Sequence, residues 1–341
     1  MPRRLLHVAL VVLALAYPLL ASDSAVYSRL GALVLLGAIG GSAWNIVGGY
    51  AGQVSVGHAV FFGVGAYSAV TAYVHLGLPP ILGAPVGMAL SVLIAAVIGV
   101  PTLRLSGHYF SMATIAVGEL VRVLSSTSDF LGGAQGLGGP ALPRSAFDLS
   151  FVSATPYYYI FLAVLAALLW LTHRIERGRM GFYLRAIKDS ERAARSLGVS
   201  AGRYKLYAYM LSAAFTSLAG ALYLCMYQFV DPESGFGILI SVKMVVMAAL
   251  GGAGQLFGPL VGALILVPLE ELSNSYLGGK DTAVTLMMFG GKIVVGKGGA
   301  GITFVVYGAI IVVIARFLPS GLLSLIGRRP TGRRTVGGHA D

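Results

Sequence analysis

Charged residues are scarce in this sequence. Only 11% of its 341 residues are Asp, Glu, Lys or Arg, whereas 57% are hydrophobic. Soluble domains carry roughly 25% charged residues, so this composition excludes a fully water-exposed surface. Between Leu30 and Leu103 no charged residue occurs at all. A transmembrane helix needs ~20 mostly apolar residues, so this run holds three membrane passes joined by tight connections.

Other absences narrow the class of protein. The strands of a membrane β-barrel alternate apolar and polar residues in short segments, whereas the apolar runs here are continuous. They predict an all-α, polytopic transmembrane bundle of about 8–10 spans with broken or re-entrant segments. The single cysteine, Cys225, excludes a disulfide within the chain and is expected to be a small buried side chain. No P-loop sequence is present, so we predict no ATP site on this chain.

The basic residues orient the predicted spans. Residues 173–205 contain nine Lys or Arg and three acidic residues, a net charge of +6 out of +11 for the whole chain. Lys and Arg concentrate in cytoplasmic loops, so this stretch and both termini are predicted inside, and loop 126–155 outside. This topology explains the basic charge without nucleic acid. The predicted spans are 5–21, 30–48, 57–76, 83–103, 108–125, 156–172, 206–229, 238–250, 258–275 and 301–317.

Three regions follow from this pattern: an N-terminal span within 1–29, a transmembrane domain over 30–325 and a basic cytoplasmic tail over 326–341. The first span resembles a signal peptide with a cleavage site at Ala21-Ser22. We expect it to be retained, because a run of ~17 apolar residues can cross a membrane. Residues 276–300 agree poorly with the preference of Lys and Arg for cytoplasmic loops, because the predicted topology places their three lysines outside.

Two glycine-rich stretches interrupt the apolar runs, at Gly48–His58 and Gly251–Pro259, and both contain Ala-Gly-Gln. Paired interruptions in two halves of a membrane protein point to a repeat around a transport site. The first stretch and the residue just before it supply the neutral polar groups of a candidate substrate pathway: Asn45, Gln53, Ser55 and His58. The alternative is that these groups satisfy one another and the helix break.

Few ionisable residues fall within the spans, and such residues are functional candidates by default. Glu119 and Arg122 lie three residues apart on one helix face, which favours a structural ion pair. Lys243 lies within a span, and Glu270 and Glu271 are expected at an interface in water.

Residues 183–198 predict one short amphipathic helix within the basic stretch. Leu184, Ile187, Ala194 and Leu197 recur at helical spacing, and Gly198 is a stop signal. Such a helix either lies on anionic lipid or docks into a groove of another protein.

Here the sequence resembles a known family. Glu191–Gly198, with Ala193-Ala194 and then Gly198, resembles the coupling loop of ABC-importer permeases, although the glutamate stands one position further back than in the strict pattern. Further segments resemble the branched-chain amino acid permeases of the M-subunit type. These segments are Asn45–Tyr67, Gly107–Glu119, Gly132–Pro140, Gly251–Ala263 and Phe317–Leu322. Departures from the family pattern are Leu131 in place of a polar Thr, Lys243 in place of Glu or an apolar residue, and an apparent insertion over 280–300.

The resemblance implies a permease subunit of an ABC importer in a bacterial inner membrane, not an enzyme. It implies a second homologous permease, two cytoplasmic ATPases that bind ATP-Mg, a periplasmic or lipid-anchored solute-binding protein and surrounding lipid. The implied solute is a branched-chain or other hydrophobic amino acid. The implied ATPase contacts are Leu184, Ile187, Glu191, Ala193, Ala194, Leu197 and Gly198.

Three alternatives stay open. The same machinery serves urea or short amides in related permeases. A stand-alone channel or secondary transporter would move solute without ATPases. A lipid-surface scaffold would use the basic helix only for anchoring.

Overall fold

The computed structural model describes residues 14–18, 24–105, 107–140, 148–277, 284–288, 291–295, 308–309, 316 and 321–323. Most of the predicted first span (5–21), most of the last span (301–317) and the basic tail (326–341) therefore lie outside the described residues, as does much of 276–300.

The described residues are almost entirely helical. A short π-helix, Ile46–Tyr50, continues the first helix, α1 (Ala25–Asn45). Two antiparallel pairs of short strands occur, β1 (Leu137–Gly138) with β2 (Phe229–Val230), and β3 (Val284–Met288) with β4 (Gly291–Val295). The helices are α1 (Ala25–Asn45), α2 (Ala59–Leu76), α3 (Pro80–Thr102), α4 (His108–Thr127), α5 (Thr155–Arg177), α6 (Arg179–Asp189), α7 (Glu191–Ser196), α8 (Ala201–Tyr227), α9 (Pro232–Phe236), α10 (Ile238–Gly251) and α11 (Gly258–Leu277).

The prediction of an all-α polytopic bundle is confirmed. Six helical segments of the described chain are long and apolar enough to cross a membrane: α1 with its π-helix, α2, α3, α5, α8, and α9 with α10. The predicted spans 108–125 and 258–275 are also continuous helices, α4 and α11, of 20 residues each. Their charged residues lower their hydropathy, since each helix carries two such residues in its second half.

Close helix crossings hold the bundle together. The backbone of α8 passes so near α2 that a Cβ atom on Gly65 would overlap the carbonyl of Ser217, and one on Gly220 would overlap that of Phe62. Small residues permit this approach of two backbones, which is the main source of packing energy between helices in lipid.

The non-helical segments gather at the two ends of the bundle. One end, which we call the basic end, contains the two glycine-rich breaks and the α6–α7 hairpin, because Lys188 of α6 contacts Gly49 and Asn45 contacts Gly254. The opposite end contains the β1–β2 pair and α9. This arrangement agrees with the alternation of spans predicted from the sequence.

Candidate functional site

Three of the four predicted pathway residues are buried at the basic end. Asn45, Ser55 and His58 are exposed by 2% or less. The imidazole of His58 hydrogen-bonds Ser55 Oγ through Nδ1 (3.0 Å) and Ser212 Oγ through Nε2 (2.8 Å). Ser212 gives its only hydroxyl proton to the carbonyl of Ala43 (2.6 Å), so it accepts from His58 Nε2–H. His58 and Ser55 are thus satisfied within the protein.

Asn45 joins the two glycine-rich breaks. Its Nδ2 donates to the Gln255 carbonyl (3.0 Å), and its Oδ1 accepts from the Gly254 amide (2.8 Å). The two Ala-Gly-Gln sequences are also alike in conformation, because Gly52 (φ 68°) and Gly254 (φ 84°) both adopt the left-handed region. The paired interruptions therefore form one contact, as the repeat hypothesis expects.

Gln53 differs from the other three predicted pathway residues. It is half-buried, and its backbone amide donates to the carbonyl of Val47 (3.1 Å). The structure thus joins Asn45 to the second break and joins Ser55 to His58 and Ser212, and it leaves Gln53 half-buried.

The prediction of one continuous helix over 183–198 is wrong. Ser190 is extended (φ −158°) and separates α6 from α7. The reason is local: its hydroxyl accepts from the Ala193 amide (3.3 Å) and caps a new helix, as serine does at helix N-termini. The predicted stop at Gly198 is confirmed, since this glycine has a positive φ of 85° just beyond α7.

The apolar stripe of this hairpin faces mostly inward. Leu184, Ile187 and Ala194 are exposed by 3% or less, whereas Leu197 is 85% exposed. Ala193 and Gly198 are also exposed. Ile187 and Ala194 pack with Ala201, the first residue of α8. The hairpin is therefore anchored on its own chain and presents the far side of α7 to its surroundings.

An ion-pair network fixes α7 to α8. The Glu191 carboxylate binds both Arg195 (2.5 Å) and the Lys205 ammonium, and the Lys205 side chain is only 2% exposed. Partial burial raises the pKa of the Glu191 carboxyl, but the neighbouring Lys205 and Arg195 outweigh it and hold that pKa below its usual range. The carboxylate is therefore charged at neutral pH, which a buried lysine requires.

Lys188 connects the hairpin to the breaks. Its Nζ donates to the Gly49 carbonyl in the π-helix (2.7 Å). A Cβ on Gly254 would lie 3.2 Å from the same Nζ, and a Cβ on Gly52 would lie 3.0 Å from Lys188 Cγ. Lys188 thus sits at the junction of both breaks. Sequence patterns missed it, because its partners are 139 residues away.

A cavity of about 480 Å³ opens among α1, α2, α8, α10 and α11, away from the predicted pathway residues. Its charged lining was partly visible in the sequence as Lys243, Glu270 and Glu271. We expected both glutamates at an interface in water, but the Glu270 side chain is only 19% exposed and forms an ion pair with Lys243. The lining residues are Leu33, Leu36, Gly37, Gly40, Phe62, Tyr223, Tyr227, Asp231, Glu233, Ser234, Leu239, Ile240, Lys243, Met244, Met247, Val267, Glu270 and Glu271.

Glu119 and Arg122 form the ion pair expected from their spacing. Arg122 donates to Glu119 through both Nε (3.0 Å) and Nη2 (2.6 Å) and also approaches Glu233 (3.4 Å). The Glu119 side chain is 54% exposed, so this pair lies on the surface of the chain and outside the cavity.

Comparison with known proteins agrees with the sequence resemblance. A family model described as branched-chain amino acid transport system / permease component matches residues 27–315. The chain is 30% identical over 315 residues to the high-affinity branched-chain amino acid transport system permease protein LivM of Escherichia coli K12, covering 86% of this chain and 72% of that protein. It is 32% identical over 139 residues to the permease protein LivH of Salmonella typhimurium, covering 41% and 44%.

A solved structure, PsaBC from Streptococcus pneumoniae in complex with Fab, covers 89% of this chain and 95% of that chain, with 18% identity and a TM-score of 0.44. That score is too low to carry an argument. Family membership is instead shown by the family model, which matches residues 27–315, and by the 30% identity to LivM over 86% of this chain. The chain is a multi-pass membrane permease component rather than an enzyme, and it belongs to the branched-chain amino acid transport system permease family.

Proposed function

We propose that this chain is the membrane-spanning subunit of an ABC importer that moves branched-chain or other hydrophobic amino acids inward. In this proposal it pairs with a second homologous permease, two cytoplasmic ATPases hydrolyse ATP-Mg, and a periplasmic or lipid-anchored binding protein delivers the solute. The basic end faces the cytoplasm, as the positive-inside rule requires, and both termini lie on that side.

One observation carries the proposal: the α6–α7 hairpin is exposed on one side and bound to both glycine-rich breaks on the other. Ala193, Leu197 and Gly198 face outward at the basic end, where an ATPase groove would hold them. Leu184, Ile187 and Ala194 face inward, and Glu191 ties α7 to α8. A movement of the hairpin would reach the spans through Lys188 and Gly49.

The hydrogen bonds of Asn45 to the second break and of His58 to Ser55 and Ser212 support a structural role for Asn45, Ser55 and His58. Gln53 is the half-buried member of the set and is the one we propose to meet the solute on its way to the cytoplasm. We expect Gln53→Ala to lower uptake several-fold while the ATPases remain bound. Uptake equal to that of the unaltered protein would contradict this role.

The central experiment reconstitutes the chain with its partner subunits in liposomes and measures leucine uptake. We expect uptake to require ATP and the binding protein. Uptake by this chain alone, without ATP, would instead establish a channel or secondary transporter. Competition with urea and ribose should accompany the leucine assay, because related permeases serve solutes other than amino acids; the similar LsrC protein of Klebsiella pneumoniae is an autoinducer 2 import permease.

The link through Lys188 is tested by Lys188→Met, which keeps the aliphatic stem and removes the ammonium. A hydrogen bond from a charged donor contributes about 1.5–3 kcal/mol, so we expect uptake to fall roughly tenfold or more while the ATPases still bind. Arg185→Met is the matched control, because Arg185 is on the same helix and pairs with Glu176 instead. An equal loss in both variants would contradict a specific role for Lys188.

A further inference from the structure

The cavity beside α10 combines charged and aliphatic walls in a way that fits one class of ligand. Its charged part contains four carboxylates, from Asp231, Glu233, Glu270 and Glu271, and one lysine, Lys243. Its apolar part comes from leucines of α1, Phe62 of α2 and methionines of α10. Charged groups among membrane spans are costly and are kept for function.

The position of the ion pair gives the depth of this cavity. Lys243 lies five residues beyond the start of α10, about 8 Å from the opposite end at a rise of 1.5 Å per residue. Glu270 lies twelve residues along α11 from the basic end, about 18 Å away. The charged groups therefore lie between the opposite end and the middle of the bundle, not at the basic end with His58.

Glycines of α1 let methionines of α10 pack directly against the α1 backbone. A Cβ on Gly37 would lie 3.1 Å from Met247 Cε, and one on Gly40 would lie 3.1 Å from Met244 Cε. The two methionine side chains therefore occupy the space over these glycines and form part of the apolar wall of the cavity. Methionine is flexible and adapts to different apolar shapes, so this wall suits aliphatic side chains of different branching.

The charges exclude several other ligand classes. An excess of carboxylates repels an anion and attracts an ammonium group. An ammonium such as that of Lys243 has three donors, so it can hold Glu270 and a ligand carboxylate together. In the parts of the chain that the structure describes, no three His, Cys, Asp or Glu residues cluster as a metal site, so the carboxylates do not form a cation cage.

We propose that this cavity is the chamber that receives the solute from the opposite end, and that it binds an aliphatic amino acid as a zwitterion. Lys243 binds the ligand carboxylate, the acidic residues of α9 and α11 bind its ammonium, and its side chain packs against Phe62, Met244 and Met247, which line the cavity. The inference rests on the proposed function and adds to it the place and polarity of substrate binding.

The test measures ligand binding to the purified importer complex in nanodiscs, without ATP or binding protein, by the shift in thermal unfolding. The probes are L-leucine, 3-methylbutylamine, which lacks the carboxylate, and 4-methylpentanoate, which lacks the ammonium. For the unaltered complex we expect leucine to stabilise most. For Lys243→Met we expect leucine affinity to fall about tenfold, to the level of 3-methylbutylamine. Lys243→Met with undiminished preference for leucine over the amine would overturn the proposal.

A second variant keeps the test decisive if Lys243→Met does not assemble. In Gly40→Leu the added side chain displaces Met244, whose Cε would lie 3.1 Å from the new Cβ, and together they fill the apolar part of the cavity. This variant should bind alanine while losing leucine; unchanged leucine affinity would refute the proposed position. Glu176→Gln is the control, because it removes a carboxylate from an ion pair with Arg185 at the basic end, away from the cavity. Leucine uptake with ATP is measured in parallel. Uptake that survives both cavity variants unchanged defeats this inference alone, whereas no uptake by the unaltered complex defeats the proposed function.

Discussion

Replacing Ala194 with Asp is expected to stop ATP-driven uptake while the chain still assembles in the membrane. Ala194 is 3% exposed and packs with Ile187 and Ala201. Burying a carboxylate there without a partner costs several kcal/mol, so α7 would no longer pack against α8. Since each 1.4 kcal/mol changes an equilibrium tenfold, we expect uptake to fall by more than about tenfold.

Ser200→Asp is the matched control for this change. It adds the same charge six residues away, at the exposed N-cap position of α8, where Asp is favourable. Uptake by reconstituted importer and the amount of assembled complex should be measured for both variants. If Ala194→Asp transports as well as Ser200→Asp, the packing of α7 against α8 is not required to couple ATP hydrolysis to uptake.

Gly49→Ala is expected to force apart the two glycine-rich breaks. A Cβ on Gly49 would overlap Asn45 Oδ1 and the Gly254 amide, which are rigidly placed. The added methyl would therefore disrupt both hydrogen bonds of the Asn45 amide and shift the carbonyl that Lys188 binds. The two neutral hydrogen bonds contribute about 1 kcal/mol each, and the one from the charged lysine contributes about 1.5–3 kcal/mol. Their loss predicts a fall in uptake of roughly a hundredfold or more.

Gly202→Ala provides the control at the same end of the molecule, since a Cβ on Gly202 meets no atom within 4 Å. Uptake and assembly should match the unaltered importer there. Equal uptake by Gly49→Ala and Gly202→Ala would show that the contact between the breaks has no part in transport. Loss of assembly in Gly49→Ala alone would assign the contact to folding.

The helices of the bundle were predictable because their signal is local. The apolar runs that predict spans 57–76 and 83–103 coincide with α2 and α3 within a few residues. The break after α1 was also visible, since glycines and polar residues interrupt the run. Its form as a π-helix over Ile46–Tyr50 was not predicted, because the hydrogen-bond register depends on packing around Trp44 and Asn45.

The candidate site was less predictable. Glycine and serine patterns located the break and the stop at Gly198, but the division of the basic segment at Ser190 depends on one capping hydrogen bond. The same patterns propose Asn45, Ser55 and His58 as pathway groups; in the fold Asn45 binds the second break, and His58 binds Ser55 and Ser212. A sequence shows which polar side chains are present, but not which of them hydrogen-bond to one another in the fold.

The sequence by itself determined the class of the protein, its helices and the gathering of basic charge at one end, because hydropathy and charge act over short stretches of chain. Only the tertiary structure decided which residues, distant in the sequence, contact one another at the basic end and in the cavity. Asn45 meets Gln255 across 210 residues, and Lys188 meets Gly49 across 139. Lys243 meets Glu270 on a neighbouring helix. These contacts arise from the close approach of helices that glycines permit, and that approach depends on all the packed faces at once.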